Sequence, residues 1–171
     1  SWAGVPFAPL NYRLTDPELD SLVSQLQPGR LVTEPDRLSR LGDKIDGEGG
    51  DFVSVLTTGS LLDPARADRA APHAEPWSMD MDDTAILLFT SGTTGAPKAA
   101  VLRQKHLVSY VLGSVEFMGA DENDASLSCV PPYHVAGMAG IVSAVYSGRR
   151  VVQMPSFTAE AWIETARKES V

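Results

Sequence analysis

Between positions 90 and 98 the chain reads Thr90-Ser91-Gly92-Thr93-Thr94-Gly95-Ala96-Pro97-Lys98. These residue types suit an anion. Glycines let backbone N–H groups turn toward a ligand, and successive N–H groups in such a turn form an anion-binding nest. Ser91, Thr93 and Thr94 add hydroxyl donors and Lys98 adds a positive charge. Three kinds of donor converging directly after an apolar run, Ala85 to Phe89, fit a polyphosphate. The spacing is not that of a Walker A loop, which needs Gly, four residues, then Gly-Lys-Ser/Thr. Here Gly92 and Gly95 are too close, Pro97 precedes the lysine and Ala99 follows it. Pro97 also keeps a helix from starting through Lys98, as a P-loop helix would.

A second group of chemically able residues is Pro131-Pro132-Tyr133-His134-Val135-Ala136-Gly137, after the short apolar stretch Ser126 to Val130. The end of a strand is where open α/β sheets place ligands. A histidine there either hydrogen-bonds a nearby carbonyl or faces a substrate, and its residue type alone leaves both open.

The segment Thr90–Lys98 resembles, without a gap, the phosphate loop of the adenylate-forming superfamily: acyl-CoA synthetases, luciferases and peptide-synthetase adenylation domains. Residues 131–137 resemble the acyl-CoA synthetase segment Pro-x-x-His-x-x-Gly, whose histidine borders the acyl carboxylate. Peptide-synthetase domains usually carry an aspartate there, in a Phe-Asp-x-Ser pattern, to pair with an amino group. His134 offers no fixed negative charge, so the resemblance favours an acid without an α-amine, such as a fatty or aryl acid. It implies that Thr90, Ser91, Gly92, Thr93, Thr94, Gly95 and Lys98 hold the phosphates of ATP. It also implies that His134, the catalytic candidate, lines the acyl site with Tyr133 and Gly137. Thr90 or Thr94 could reach Mg²⁺, and the sequence does not choose between them. The reaction implied has two halves. A carboxylate attacks the α-phosphorus of ATP and pyrophosphate leaves; a thiol, that of coenzyme A, then displaces AMP.

The chain departs from the family pattern in two places. Pro97-Lys98-Ala99 stands for Pro-Lys-Gly, so the turn must leave through ordinary dihedral angles. Arg103-Gln104-Lys105-His106 stands for Thr-His-x-Asn, so His106 is read as a surface residue at a helix start, and His73 likewise as a surface residue. Neither a Tyr-Gly-x-Thr-Glu nor a Thr-Gly-Asp segment is found, nor a C-terminal domain with its lysine. The expectation is therefore a single internal piece, residues 1–171, of the large N-terminal domain of an acyl-CoA ligase, inactive alone. The competing readings are a fatty-acyl-AMP ligase or other adenylating domain, a phosphate-loop NTPase or kinase, and a non-catalytic domain of the same fold.

The elements that must position these residues follow from periodicity. Val5 to Leu10 is a strand candidate that Pro6 and Pro9 confine to an edge. Thr15-Asp16-Pro17-Glu18 is a capping box. Leu19, Leu22, Val23 and Leu26 then form one helical face, which Pro28-Gly29 stops. Leu31–Thr33 and Phe52–Leu56 read as strands, residues 42–51 as a surface turn, and residues 60–83 as an irregular connection holding the acidic residues Glu75, Asp80, Asp82 and Asp83. A metal could sit among those carboxylates, but a solvated loop explains them as well. After the run at Ala85–Phe89, Ala99–Leu102 continues apolar. A stripe of Leu107, Val108, Val111, Leu112 and Val115 predicts a helix to Gly119. Ser126–Val130 reads as a strand, Ala136–Tyr146 as a buried helix ended by Gly148, Arg150–Met154 as a strand, and Thr158 as the cap of a last helix. From Ala85 onward the order is strand, loop, helix, strand, helix, strand, helix. This alternation predicts an α/β layered fold, a largely parallel sheet flanked by helices.

Composition limits the partners. Lys and Arg number 14 against 22 Asp and Glu, a net charge of −8, the opposite of the basic footprint of a nonspecific nucleic-acid binder. The single cysteine, Cys129, allows no internal disulfide and fits a reducing compartment, so the expected location is cytoplasmic. No apolar run reaches the length of a membrane span.

Overall fold

The run around Ala85 forms a strand because its side chains find cover on both faces. In a computed structural model of the chain, the described residues are 4–26, 28–37, 52–60, 80–90 and 97–171. They divide into two compact units: Asn11–Glu75, and Ser1–Leu10 with Pro76–Val171.

The unit Asn11–Glu75 holds helix α1 (Asp16–Ser24) and strands β1 (Gly29–Thr33) and β2 (Phe52–Thr57). Glu18 Oε2 accepts from Thr15 N at 2.9 Å and from Thr15 Oγ1 at 2.7 Å, and these bonds keep the Glu18 carboxyl below its ordinary range. The apolar face is as predicted at its centre, where Leu22 and Val23 are buried. Strands β1 and β2 pair in parallel, Arg30 opposite Ser54 and Thr33 opposite Thr57. Just beyond the pair, Thr58 Oγ1 donates to Glu34 Oε1 at 2.7 Å. The guanidinium groups of Arg13 and Arg37 lie 5.5 and 5.6 Å from the Tyr12 ring centroid, within cation–π reach. The surface turn expected at 42–51 lies outside the described residues.

The other unit is built on β3 (Thr84–Thr90) and β4 (Lys98–Arg103), an antiparallel hairpin. Strand β4 is the element that the expected order lacked: Ala99–Leu102 is the hairpin's return strand, exposed along its length except at Leu102. Strand β3 is interior. It pairs with β4 on one side and with Phe7 on the other, where Phe7 N donates to Ala85 O and Leu87 N donates to Phe7 O, both at 2.9 Å. The candidate at Val5–Leu10 is reduced to this one bridge because Pro6 and Pro9 have no N–H to give a ladder.

Helix α2 (Gln104–Ser114) follows, then β5 (Ala125–Ser128), α3 (Val135–Ser147), β6 (Arg150–Gln153) and α4 (Ala159–Glu169). Strands β5 and β6 are parallel, Ala125 opposite Arg150 and Ser128 opposite Gln153; α3 is the crossover that a parallel pair requires. The class is thus α/β as expected, with two of the three described strand pairs parallel and the hairpin antiparallel. Helix α2 buries Val111, while Val108 and Leu112 of the expected stripe are exposed. It also stops short of Gly119. Val115 is extended, and the chain beyond docks on the end of α3: Met118 N donates to Tyr146 O and Ala120 N to Ser147 O, both at 3.0 Å. Those bonds satisfy carbonyls that a helix end leaves without partners. Gly148 ends α3 in a left-handed conformation, φ 82°, which glycine adopts without a Cβ penalty. Thr158 caps α4 as predicted, accepting from Ala161 N at 3.2 Å. Arg150 fixes the far end of α4, its Nη1 2.6 Å from Glu169 Oε2 and its Nη2 donating to Glu169 O at 2.9 Å.

One core cluster joins these elements: Ala85, Ile86 and Leu88 of β3 with Met138 of α3, flanked by Leu102, Leu107 and Val142. The open end of the hairpin is tied down separately. Gln104 N donates to Asp83 O and Lys105 N to Met81 O, at 3.0 and 2.9 Å. Arg103 Nη1 donates to Asp82 O, and Lys105 Nζ lies 2.5 Å from Asp82 Oδ1. The Lys105 hydrogen bond, reinforced by its charge, holds the Asp82 carboxyl below the ordinary carboxylate range. No described helix is long and apolar enough to cross a membrane.

Two outcomes follow. Leu88→Ala should destabilise this unit by about 2–5 kcal/mol, the usual cost of a deleted core leucine, read as a lower denaturation midpoint in urea. For Asp82, a folded-state pKa below the unfolded one means stabilisation that is complete above about pH 4 and is lost as pH falls through the depressed value. Lys105→Ala should therefore be less stable than the parent at neutral pH, and the gap should shrink toward pH values below both pKa values. A gap that stays constant on acidification contradicts the pairing.

Candidate functional site

The closed end of the hairpin carries the phosphate-loop candidate. Thr90 is the last residue of β3, Lys98 the first of β4, and the two are register partners. Thr90 Oγ1 donates to Lys98 O at 3.3 Å, which leaves the hydroxyl oxygen able to accept or to ligate. Both residues are exposed. Among the described residues no carboxylate pairs with Lys98. Ser91, Gly92, Thr93, Thr94 and Gly95 lie outside the described residues, so the structure locates the two anchors of this segment and not its interior. Lys98 opens a strand. A P-loop lysine instead stands where the loop passes into a helix, so the element after Lys98 differs from that of a P-loop NTPase.

The second motif sits at the start of α3. His134 is the N-cap residue, φ −96° and ψ 144°. Its backbone is bound on both sides: His134 N donates to Pro131 O at 3.0 Å, and Met138 N donates to His134 O at 3.1 Å. Its side chain takes no part in the cap and is exposed. Tyr133 is buried, and its ring lies 4.6 Å from the His134 ring, tilted by 53°. Gly137 is buried too, one turn in, with the Val130–Pro131 backbone against its Cα. The motif thus presents an exposed imidazole on an anchored backbone, beside a buried phenol ring. Because Met138 belongs to the β3 cluster, the helix that begins at His134 and the strand that ends at Thr90 share one core.

Of the remaining chemically able residues, the described aspartates before β3 and His106 have structural partners. Asp80, Asp82 and Asp83 shape the turn before β3: Asp80 N donates to Asp83 Oδ2 at 3.0 Å and Asp82 N to Asp80 Oδ1 at 2.9 Å. Among the described residues no group of three His, Cys, Asp or Glu could hold a metal ion; Glu75 lies outside them. His106 is an exposed residue in the first turn of α2, as expected, and its Nδ1 accepts from Arg103 N at 3.0 Å. His73 lies outside the described residues. Cys129 is free and half-buried. Sequence reasoning missed Arg103 and Lys105, which hold the base of the hairpin. Their partner Asp82 is 21 and 23 residues away, and no local pattern marks a contact at that distance.

Lys98 suits a phosphate chain: an exposed ammonium at the end of the hairpin with no described carboxylate paired to it, beside the Thr90 oxygen, whose proton is given to Lys98 O. A threonine oxygen is also a suitable hard ligand for Mg²⁺.

Comparison with known proteins gives the family. The hybrid PKS-NRPS synthetase fsa1 of a Fusarium species is 35% identical over 71% of this chain, which covers 3% of that protein. The indoleacetate–CoA ligase of Aromatoleum aromaticum is 29% identical over 98% of this chain, which covers 34% of that protein. Among solved structures, ATP-bound MatB from Rhodopseudomonas palustris superposes with a TM-score of 0.77 at 26% identity, over 95% of this chain and 33% of that one. The chain therefore spans about a third of the length of the indoleacetate–CoA ligase and of MatB, and far less of the hybrid synthetase. A family model described as "AMP-binding enzyme" matches residues 2–171, and the chain belongs to that family.

Proposed function

We propose that this chain forms the triphosphate-gripping part of an ATP-dependent, AMP-forming ligase that activates a carboxylic acid and passes it to coenzyme A. The observation that carries this reading is the hairpin end. Thr90 and Lys98 face one another across the last register pair of β3 and β4, so both ends of the segment 91–96 are anchored at one strand edge. The family match and the likeness to ATP-bound MatB support ATP as the nucleotide. The name of the indoleacetate–CoA ligase supports an acid and coenzyme A as the other substrates.

The chemistry needs such a grip. A carboxylate and a triphosphate repel each other, and the leaving pyrophosphate is strongly charged. Backbone N–H groups and hydroxyls at Ser91–Gly95 would hold the β- and γ-phosphates, each hydrogen bond to a charged oxygen being worth about 1.5–3 kcal/mol net. Lys98 would add a few kcal/mol, on the order of the Coulomb energy of a close pair at an effective dielectric near 20. Thr90 or Thr94 would hold Mg²⁺, which supplies further charge neutralisation to the phosphates. The substrate acid attacks the α-phosphorus and pyrophosphate departs; the thiol of coenzyme A then attacks the acyl carbon and AMP departs. His134, exposed at the start of α3 beside Tyr133, would orient the acyl carboxylate.

The match to a hybrid PKS-NRPS synthetase keeps an amino-acid-adenylating domain as a second reading. His134 weighs against it, because an imidazole gives no fixed anion to pair with an α-amine. A strand rather than a helix after Lys98 weighs against a phosphate-loop NTPase.

The test uses the enzyme that carries this sequence. Lys98→Ala and Thr94→Ala should each lower ATP–pyrophosphate exchange about 10²-fold or more, typical of a lost electrostatic contact to transition-state charge, equally for every acid tried. His134→Ala should instead change the discrimination among acids. Exchange at parental rates in both loop variants refutes the phosphate role of residues 90–98.

A further inference from the structure

Gly137 and Gly140 both lie in α3, yet their surroundings differ. A Cβ built on Gly140 meets nothing within 4 Å. A Cβ built on Gly137 comes 2.3 Å from Pro131 O, 2.7 Å from Pro131 C and 2.7 Å from Val130 O. Those neighbours are backbone atoms and cannot swing aside as a side-chain tip could. The same Pro131 carbonyl accepts from His134 N at 3.0 Å. Gly137 and His134 thus meet at one peptide group. The Val130–Pro131 backbone lies against the first turn of α3, and the bond that seats His134 ends on the atom closest to the missing Cβ.

We propose that Gly137 is the positioning residue of His134: its lack of a side chain lets the Val130–Pro131 backbone lie against α3, and this contact aims the imidazole. The chain of cause is short. An added methyl group must push Pro131 O outward, by roughly 1 Å to reach ordinary van der Waals separation. The acceptor of His134 N then moves, and with it the N-cap residue and its ring. Tyr133 lies between Pro132 and His134 and is buried, so its ring resists that shift and the 4.6 Å contact between the two rings is the feature that must change. Helix propensity does not explain a glycine here, since alanine is favoured at an unobstructed helical position. The role assigned is to aim His134, and Gly137 itself need not touch substrate. The functional consequence rests on the acyl-site reading of His134 given above; the structural one does not.

The experiment compares Gly137→Ala with Gly140→Ala in the enzyme that carries this sequence, with histidine-selective ¹³C labelling. The His134 ring signal is identified by its loss in His134→Ala. The ring current of Tyr133 makes that signal a gauge of the contact. Gly137→Ala should shift it while Gly140→Ala leaves it in place, both proteins remaining folded by circular dichroism. A His134 signal unmoved in folded Gly137→Ala overturns the proposal; so does an equal shift in Gly140→Ala. If Gly137→Ala fails to fold, Gly137→Ala with Pro131→Gly, which frees the obstructing peptide, should restore folding, and persistent unfolding overturns the contact. The second arm is a double-mutant cycle on acid-dependent ATP–pyrophosphate exchange, with benzoate and octanoate as probes. Gly137→Ala should cost about tenfold or more, the scale of a small misplacement, with the KM for ATP unchanged. In the His134→Ala background the same change should cost less than about twofold, since coupled residues do not add. Equal losses in both backgrounds overturn positioning through His134. A moved ring signal with His134→Ala kinetically silent supports the positioning and refutes only the acyl-site reading.

Discussion

The register pair Thr90–Lys98 is the constraint on which the remaining features depend. A hairpin brings two positions eight residues apart to one edge, and the strands behind them decide where that edge stands. Strand β3 cannot drift, because Ala85, Ile86 and Leu88 are buried and Phe7 bonds its other side. Strand β4 contributes little burial of its own and is held through the β3 ladder and through the contacts of Arg103 and Lys105 with Asp82. Backbone ladders hold the middle of the hairpin and charged contacts hold its base.

The same core supports the second motif. Met138 packs with β3 and accepts its place through the first hydrogen bond of α3, to His134 O. A shift of α3 would therefore disturb both the hairpin core and the imidazole. Side chains carried on such rigid elements are placed more precisely than those on independent loops.

Much of this was legible in the residues, and the reasons are local. The capping residues Thr15, Glu18 and Thr158, the stop at Gly148 and the buried run of β3 are each decided within a few positions. The Thr90–Lys98 segment resembles the family's phosphate loop by its residues alone. What the sequence hid was decided at a distance. Ala99–Leu102 lacks the alternation of a half-buried strand, and its pairing partner is chosen by the turn rather than by its own side chains. The end of α2 moved from Gly119 to Val115 because residues 118 and 120 find better partners at the end of α3. Leu112 and Val108 fit a helical stripe on paper and are exposed in this chain, since hydrophobic period reports helix type more reliably than which face is covered. Gly137 looked like part of a binding motif; only the atoms around it show that a backbone fills its space.

The measurement that bears most directly on this account is the structure of the enzyme carrying this sequence with ATP and Mg²⁺ bound. The account predicts the β- and γ-phosphate oxygens at hydrogen-bonding distance, about 2.7–3.2 Å, from backbone and hydroxyl donors between Thr90 and Lys98, with β3 and β4 in the register described. Terminal phosphates seated away from the tip of that hairpin would contradict it.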